Sequence, residues 1–368
     1  MLLKGVRPRI SGLFAISIAL LLNVSAFDAY AQSVSHADRW SQWQAKTHLV
    51  ISAGRANFPR IAAWMLTAVN DQFPEAEFSG EVLFTGSGYG IELKNLQRKI
   101  AQVAITTPSA TPYMSYHGVG VFKQANPNVR GLFRIGQRDP ITFAVPAEWG
   151  VNSVEELIKR KIPLKIATGH QDDDDTTGFL FEEVMKAYGV SLAEMRSWGA
   201  KIEPYAWAGP ALRGMLAGKA DSIFHEATVI ANPLWKRLNE QKPMRVFSIR
   251  QDVIDAMAKF GFRKYDKIIA KGSYPGVIDD VVTIDYSDWV IVGDAAMSDD
   301  LAYKIVKGAA ENAAAFNRQD PSIKPEESGE LGNLNADPKL MWKNIGVPLH
   351  PGAERYYKET GADALTVA

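Results

Sequence analysis

Cysteine is absent from all 368 residues. Without sulfur there is no disulfide framework, no thiolate metal site, no cysteine nucleophile and no lipid-anchored lipoprotein N-terminus. An excess of one charge is also absent: Lys+Arg and Asp+Glu are both 41. No phosphate-neutralising surface, and hence no nucleic-acid partner, is expected. Histidine is scarce, at six residues, and no histidine-pair metal helix, Gly-x-Ser-x-Gly elbow, Walker loop or dinucleotide fingerprint occurs. The expectation is a protein that is not an enzyme, with no catalytic residue, no cofactor and no resident metal. No stretch beyond the N-terminus is apolar for the about 20 residues that a membrane span needs. What is there is ordinary globular composition, 46% apolar and 22% charged, and a length that suggests two domains at roughly 100–200 residues each.

The N-terminus carries Lys4, Arg7 and Arg9, then an apolar stretch from Leu13 to Val24, then the small-x-small site Ala29-Tyr30-Ala31. That order reads as a secretory signal peptide over 1–31, cleaved after Ala31, and the apolar run is too short for a comfortable membrane span. The mature chain is therefore expected to be soluble outside the cytoplasm. Lacking a lipidatable cysteine, it needs a compartment to retain it, which points to a bacterial periplasm. Residues 32–46 are a polar leader.

Strand and helix patterns then alternate. His48–Ile51, Val82–Phe84 and Val103–Ile105 read as strands, with helices over 61–69 and 91–100 between them. The pattern restarts with strands Leu132–Ile135, Ile141–Val145, Leu164–Ala167, Ser222–Phe224, Val246–Ile249 and Trp289–Val292. A helix is predicted to open at the Ser153–Glu156 capping box, and others at Phe179–Tyr188, Ala211–Ala217, Val229–Leu238 (despite Pro233), Val253–Phe260 and Asp299–Phe316. Alternation of this kind argues for α/β architecture. In such sheets ligands sit beyond the carboxyl ends of strands, which here are the polar loops 52–58, 85–90, 106–112, 168–178 and 225–228.

Four segments carry a resemblance. Gly150–Leu157, Ala217–Phe224 with Asn232-Pro233 after it, Ala270–Gly276, and above all Val347-Pro348-Leu349-His350-Pro351-Gly352-Ala353-Glu354-Arg355-Tyr356-Tyr357 resemble, in order, segments of the TAXI group of TRAP-transporter solute receptors. The resemblance spans roughly 47–360. It implies a two-lobed periplasmic-binding-protein type II fold, hinge-linked α/β lobes with the ligand cleft between them. The expected division is lobe one over 47–139 and 246–317, lobe two over 140–245, and a C-terminal extension, 318–368, packing on lobe one. It also implies capture of a small organic solute, a carboxylate or amino acid, for delivery to the membrane permease subunits of a TRAP-type secondary transporter. The same fold would serve a receptor that presents its ligand to a signalling partner.

The chain departs from the group in its loops. Its usually Gly-rich first loop is here Ser52–Pro59, where Arg55, a fork for carboxylate oxygens, is a candidate anion anchor beside Asn57 and Phe58. Gly86 and Ser87 in the second loop could cradle an anion at a helix start. Thr106 ends a strand at a position where the group carries an acid nearby. Arg138 is a second candidate cation near the crossover into lobe two, and Glu226 follows a strand end after His225. Thr176, Thr177 and Gly178 keep the group's hydroxyl-and-glycine character, but follow the anomalous run Asp172–Asp175. Three roles are compatible with that run: a solvent-facing helix cap, a hard-cation site such as one for Ca²⁺, or a partner for a cationic or metal-complexed solute.

Overall fold

The β-branched run after Thr47 forms a strand with a parallel neighbour on each side. The structure, a computed structural model, describes residues 47–361 other than 55–56, 76, 86–89, 172–173, 227 and 319–330. The expected signal peptide and leader, and the last seven residues, therefore lie outside the described residues. In chain order the first lobe contains β1 (Thr47–Ala53), α1 (Phe58–Asn70), β2 (Phe78–Phe84), α2 (Ile91–Gln97), β3 (Val103–Thr106), α3 (Ala110–His117) and β4 (Val129–Gln137). The chain then crosses into β5 (Thr142–Pro146), α4 (Val154–Lys159), β6 (Lys165–Thr168), α5 (Thr176–Ala187), α6 (Leu192–Ser197) and β7 (Lys201–Pro204). The second lobe continues with α7 (Ala208–Leu216), β8 (Ser222–His225), α8 (Pro233–Gln241), β9 (Met244–Phe247) and α9 (Gln251–Ala256). Back in the first lobe are β10 (Trp289–Asp294), α10 (Asp299–Glu311), α11 (Ala313–Asn317), β11 (Leu334–Asn335) and α12 (Pro351–Glu359).

The strands form a six-stranded sheet, β11-β4-β10-β3-β1-β2, and a five-stranded one, β7-β6-β8-β5-β9. Pairs β1–β2, β1–β3, β6–β7 and β6–β8 are parallel, while β10 and β5 run antiparallel to their neighbours. This is the expected two-lobed α/β fold, with two reversed strands, β10 and β11, in the first sheet and one, β5, in the second. In lobe two Phe143 of β5 sits edge-on to Phe181, Phe224 and Phe247, with centroids 6.3, 5.6 and 5.8 Å away. Such aromatic clusters contribute beyond area burial alone. In lobe one α10 lies so close to α1 that a Cβ on Gly308 would stand 2.5 Å from the Ala68 carbonyl oxygen. The C-terminal α12 packs on this lobe, where the buried Tyr357 hydroxyl donates to the Leu132 carbonyl at 2.9 Å.

Several boundaries differ from the sequence reading. The expected return to lobe one at 246 falls inside β9, which pairs with β5 in the second sheet. The chain re-enters the first sheet only at Trp289. Between them, residues 264–285 bridge onto one another and back to Pro140, a pairing with no strand-length periodicity. The helix drawn through Pro233 is a short 3-10 turn, Val229–Ala231, followed by α8 beginning at Pro233. Proline lacks an N–H and suits a first helical position, and Asn232 caps the start by accepting from Leu234 N–H. The helix at 299–316 divides at Asn312, whose side chain bonds back to Gly308 O. The Ser153 cap forms, accepting Glu156 N–H at 3.2 Å, while Glu156 reaches Asn152 N–H rather than that of Ser153. Among the described residues no helix is long and apolar enough to cross a membrane.

Candidate functional site

The carboxyl ends of β2 in one lobe and β6 in the other run into loops that meet at a junction between the lobes. Lobe one reaches across it at α2: Gly90 N–H donates to the Asp174 carbonyl oxygen at 3.0 Å, and the Lys94 ammonium pairs with the Asp174 carboxylate. A Cβ on Gly90 would lie 3.1 Å from that carbonyl oxygen. Lobe-to-lobe contact is thus made at the loop before α5.

That loop is folded tightly onto the helix it precedes. Asp175 is the N-cap: Oδ1 accepts from Thr177 N–H at 2.9 Å and Gly178 N–H at 3.1 Å, and Oδ2 accepts from His170 N–H at 3.0 Å. The carboxylate thus satisfies three backbone donors, two of which a helix start would otherwise leave orphaned. Glycine is required twice: a Cβ at 178 would stand 1.7 Å from His170 O, and one at 169 would stand 2.3 Å from Asp175 Oδ1.

The first turn of α5 also carries the hydroxyls. Tyr286, on the segment returning to lobe one, places its OH against Thr176 Oγ1 and 3.1 Å from Thr177 Oγ1. All three residues are buried. Burial holds the Tyr286 phenol well above its ordinary value of 10, and the negative charge of Glu226 adds to the effect. Glu226 is itself buried and lies beside His225, with Oε1 3.2 Å from Nδ1. His225 Nε2 faces the Tyr205 carbonyl at 3.2 Å, so it is the nitrogen that carries hydrogen, and Nδ1 receives the Glu226 N–H at 3.1 Å. Nδ1 thus stands close to both the backbone N–H and the carboxylate of Glu226.

The structure brings Thr176, Thr177, Gly178 and Glu226 together around Tyr286. Arg55, Gly86 and Ser87 lie outside the described residues. Asn57 precedes α1 and accepts Ile61 N–H through its carbonyl at 3.0 Å, with no side-chain cap. Phe58 is 3% exposed and packs edge-on to Trp289 at 4.6 Å. Thr106 is buried at the end of β3, and its neighbour Thr107 donates to Asp288 O at 2.8 Å. Arg138 stands apart from the Tyr286 cluster: it pairs with Asp266 at 3.0 Å and lines a groove of about 550 Å³ beside the hinge. The acidic run divides its work. Asp175 caps, Asp174 meets Lys94, and Asp172 and Asp173 lie outside the described residues. No grouping of acidic and histidine side chains suited to a metal ion occurs among the described residues. Sequence reasoning missed Tyr286, which sits in a stretch without periodicity, and Lys94, whose helical position gives no hint that it faces the other lobe.

Residues 61–361 match the NMT1-like family. Among solved structures, the periplasmic binding protein BugD aligns at 13% identity over 86% of this chain and 98% of its own, with a TM-score of 0.46. PhnD1 from Prochlorococcus marinus, in complex with methylphosphonate, aligns at 13% identity over 86% and 99%, with a TM-score of 0.47. Rpa4515 of R. palustris, with adipate, aligns at 14% identity over 85% and 96%, with a TM-score of 0.46.

Proposed function

The chain belongs to the NMT1-like family, and from its two lobes and their meeting edge we propose that it is a periplasmic solute receptor. In this reading it is exported by its N-terminal segment, captures a small organic solute and performs no catalysis. Its resemblance to the TAXI group makes a carboxylate or amino acid the solute class, and the permease of a TRAP-type transporter the membrane partner.

The observation that carries the reading is the contact between lobes. Two α/β lobes joined by two chain crossings present polar strand and helix ends to each other, and Gly90 and Lys94 of one touch Asp174 of the other. A solute held between them would be enclosed by rotation about the crossings, the usual closure of hinged binding proteins. The four-aspartate run gives less support to a cationic solute. Asp175 already serves three backbone N–H groups and Asp174 pairs with Lys94.

The test is a thermal-shift screen of the chain from residue 32 with dicarboxylates, oxo acids, amino acids, polyamines and Ca²⁺. A ligand at about 100 times its Kd adds roughly 2.7 kcal/mol of stability. A rise with a carboxylate or amino acid, accompanied by a smaller radius of gyration in solution scattering, is expected. A response to polyamines or Ca²⁺ alone would overturn the solute class, and a melting temperature indifferent to every compound would count against the receptor reading.

A further inference from the structure

A second cavity lies away from the cleft. It is a groove of about 590 Å³ on lobe one, where the end of α3, the turn at Gly261 and the segment before α12 converge. The volume falls within the ~300–1,000 Å³ of small-molecule sites. Its character comes from six side chains: Tyr113, Tyr116, His117 and Trp342, with the cations Arg263 and Lys343.

The rings are set in place. Tyr113 and Tyr116 pack on His117 with centroids 4.4 and 5.1 Å away. Gly261 has φ +84°, and a Cβ there would be 2.7 Å from the Tyr113 ring, so the turn backbone braces that ring from behind. The Trp342 indole N–H donates to Lys339 O at 3.1 Å, which fixes the plane of the indole, and the Lys343 ammonium stands 5.2 Å from a Trp342 ring centre. The charge is one-sided: among the described lining residues there are two fixed cations and no carboxylate. Asp285 holds Arg263 only through Nε, at 2.8 Å, from outside the groove. That leaves the guanidinium's terminal N–H groups for an incoming acceptor. Aromatic walls favour a flat apolar body, and an Arg and a Lys favour a carboxylate.

We propose that this groove is a second small-molecule site, separate from the interlobe cleft, for a planar aromatic carboxylate. The ring lies among Trp342, Tyr113 and Tyr116, and the carboxylate meets Arg263 and Lys343. The proposal does not depend on the solute of the cleft.

The experiment is calorimetric titration of the full mature chain with 2-naphthoate, alongside its uncharged analogue 2-naphthylmethanol. Saturable binding of the acid, with the alcohol weaker, is expected. Trp342→Ala weakens the acid roughly tenfold, the scale of a lost aromatic contact. Lys343→Gln, an exposed change that leaves packing intact, weakens it about threefold to tenfold by removing one charge-assisted hydrogen bond. Tyr286→Phe, in the cleft, leaves it unchanged. The proposal is overturned by absence of saturable heat, or by an affinity indifferent to Lys343→Gln in a variant that melts like the parent. Loss through Tyr286→Phe alone would also overturn it, by locating the acid in the cleft.

Discussion

Replacing Gly178 with alanine tests whether the loop before α5 is as tightly seated as the geometry says. The added Cβ would lie 1.7 Å from the His170 carbonyl oxygen and 2.6 Å from its carbon. Both are backbone atoms, so no rotamer change relieves the overlap, and the loop at 169–171 must lift off the helix. Lifting it strains the Asp175 cap, which holds His170 N–H on one oxygen and Thr177 and Gly178 N–H on the other. Overpacking in a tight interior costs about 1–3 kcal/mol, and losing an N-cap costs about 1 kcal/mol more. Alanine's better helix propensity returns about 1 kcal/mol. The net expectation is a loss of about 1–3 kcal/mol, read by urea denaturation, with a melting temperature lower by roughly 5 °C. In an Asp175→Ala background the loop is already loosened, so the same alanine should cost less, a coupling expected of touching residues. If Gly178→Ala were as stable as the parent, or more stable as at an exposed first-turn position, the loop would not be seated as described.

Two further outcomes follow from particular contacts. Lys94→Ala removes the ion pair to Asp174 that joins the lobes; with side chains 22% and 33% exposed, the pair is worth about 0.5–1 kcal/mol. Titration of the cleft solute should therefore show binding weakened roughly twofold to fivefold, a gap that 0.5 M salt narrows by screening; equal affinity at low salt would remove the latch. His350 is buried at the start of α12 and burial lowers its pKa below the ordinary 6.5, so it binds a proton less readily folded than unfolded. Its contribution to stability is full above pH 6.5 and is lost as pH falls below that value toward the lowered folded one; His350→Asn, which keeps an acceptor for Gly352 N–H, should flatten the decline below pH 6.5 in urea titrations, and an unchanged slope would contradict the shift.

Local signals carried most of the architecture. The strands of lobe one were legible because their β-branched runs are bounded by Gly, Ser and Thr turns, and Ser153–Glu156 marked a helix start through capping chemistry alone. What failed was long-range. Residues 264–285 bridge to one another and to Pro140 without alternation, so nothing local placed the return to lobe one after them. The site behaved likewise. Thr176–Gly178 were singled out because they keep the hydroxyl-and-glycine character of the group that the chain resembles, yet their partner is Tyr286, 110 residues beyond Thr176. The aspartate run read as a single anomaly, whereas Asp174 and Asp175 face opposite ways, one to the other lobe and one into its own helix.

The hydrogen bonds also show how the two chain crossings are held between the lobes. Asp139 and Tyr286 belong with lobe two: Asp139 Oδ1 accepts Thr228 N–H at 2.8 Å, Asp139 O accepts Tyr286 N–H at 2.9 Å, and the Tyr286 hydroxyl is tied to α5. Gln137 and Asp288 belong with lobe one: Gln137 O accepts Asp288 N–H at 3.0 Å, Thr107 donates to Asp288 O, and the Asp288 carboxylate pairs with Arg134 at 2.7 Å. Arg138 on one crossing and Ser287 on the other lie between these two sets and are themselves bonded: Ser287 Oγ accepts Asp139 N–H at 3.0 Å, and Arg138 O accepts Gly332 N–H at 3.0 Å. Asp288 also holds φ +76°, a left-handed conformation costing a non-glycine residue about 1–2 kcal/mol, which its lobe-one bonds must sustain.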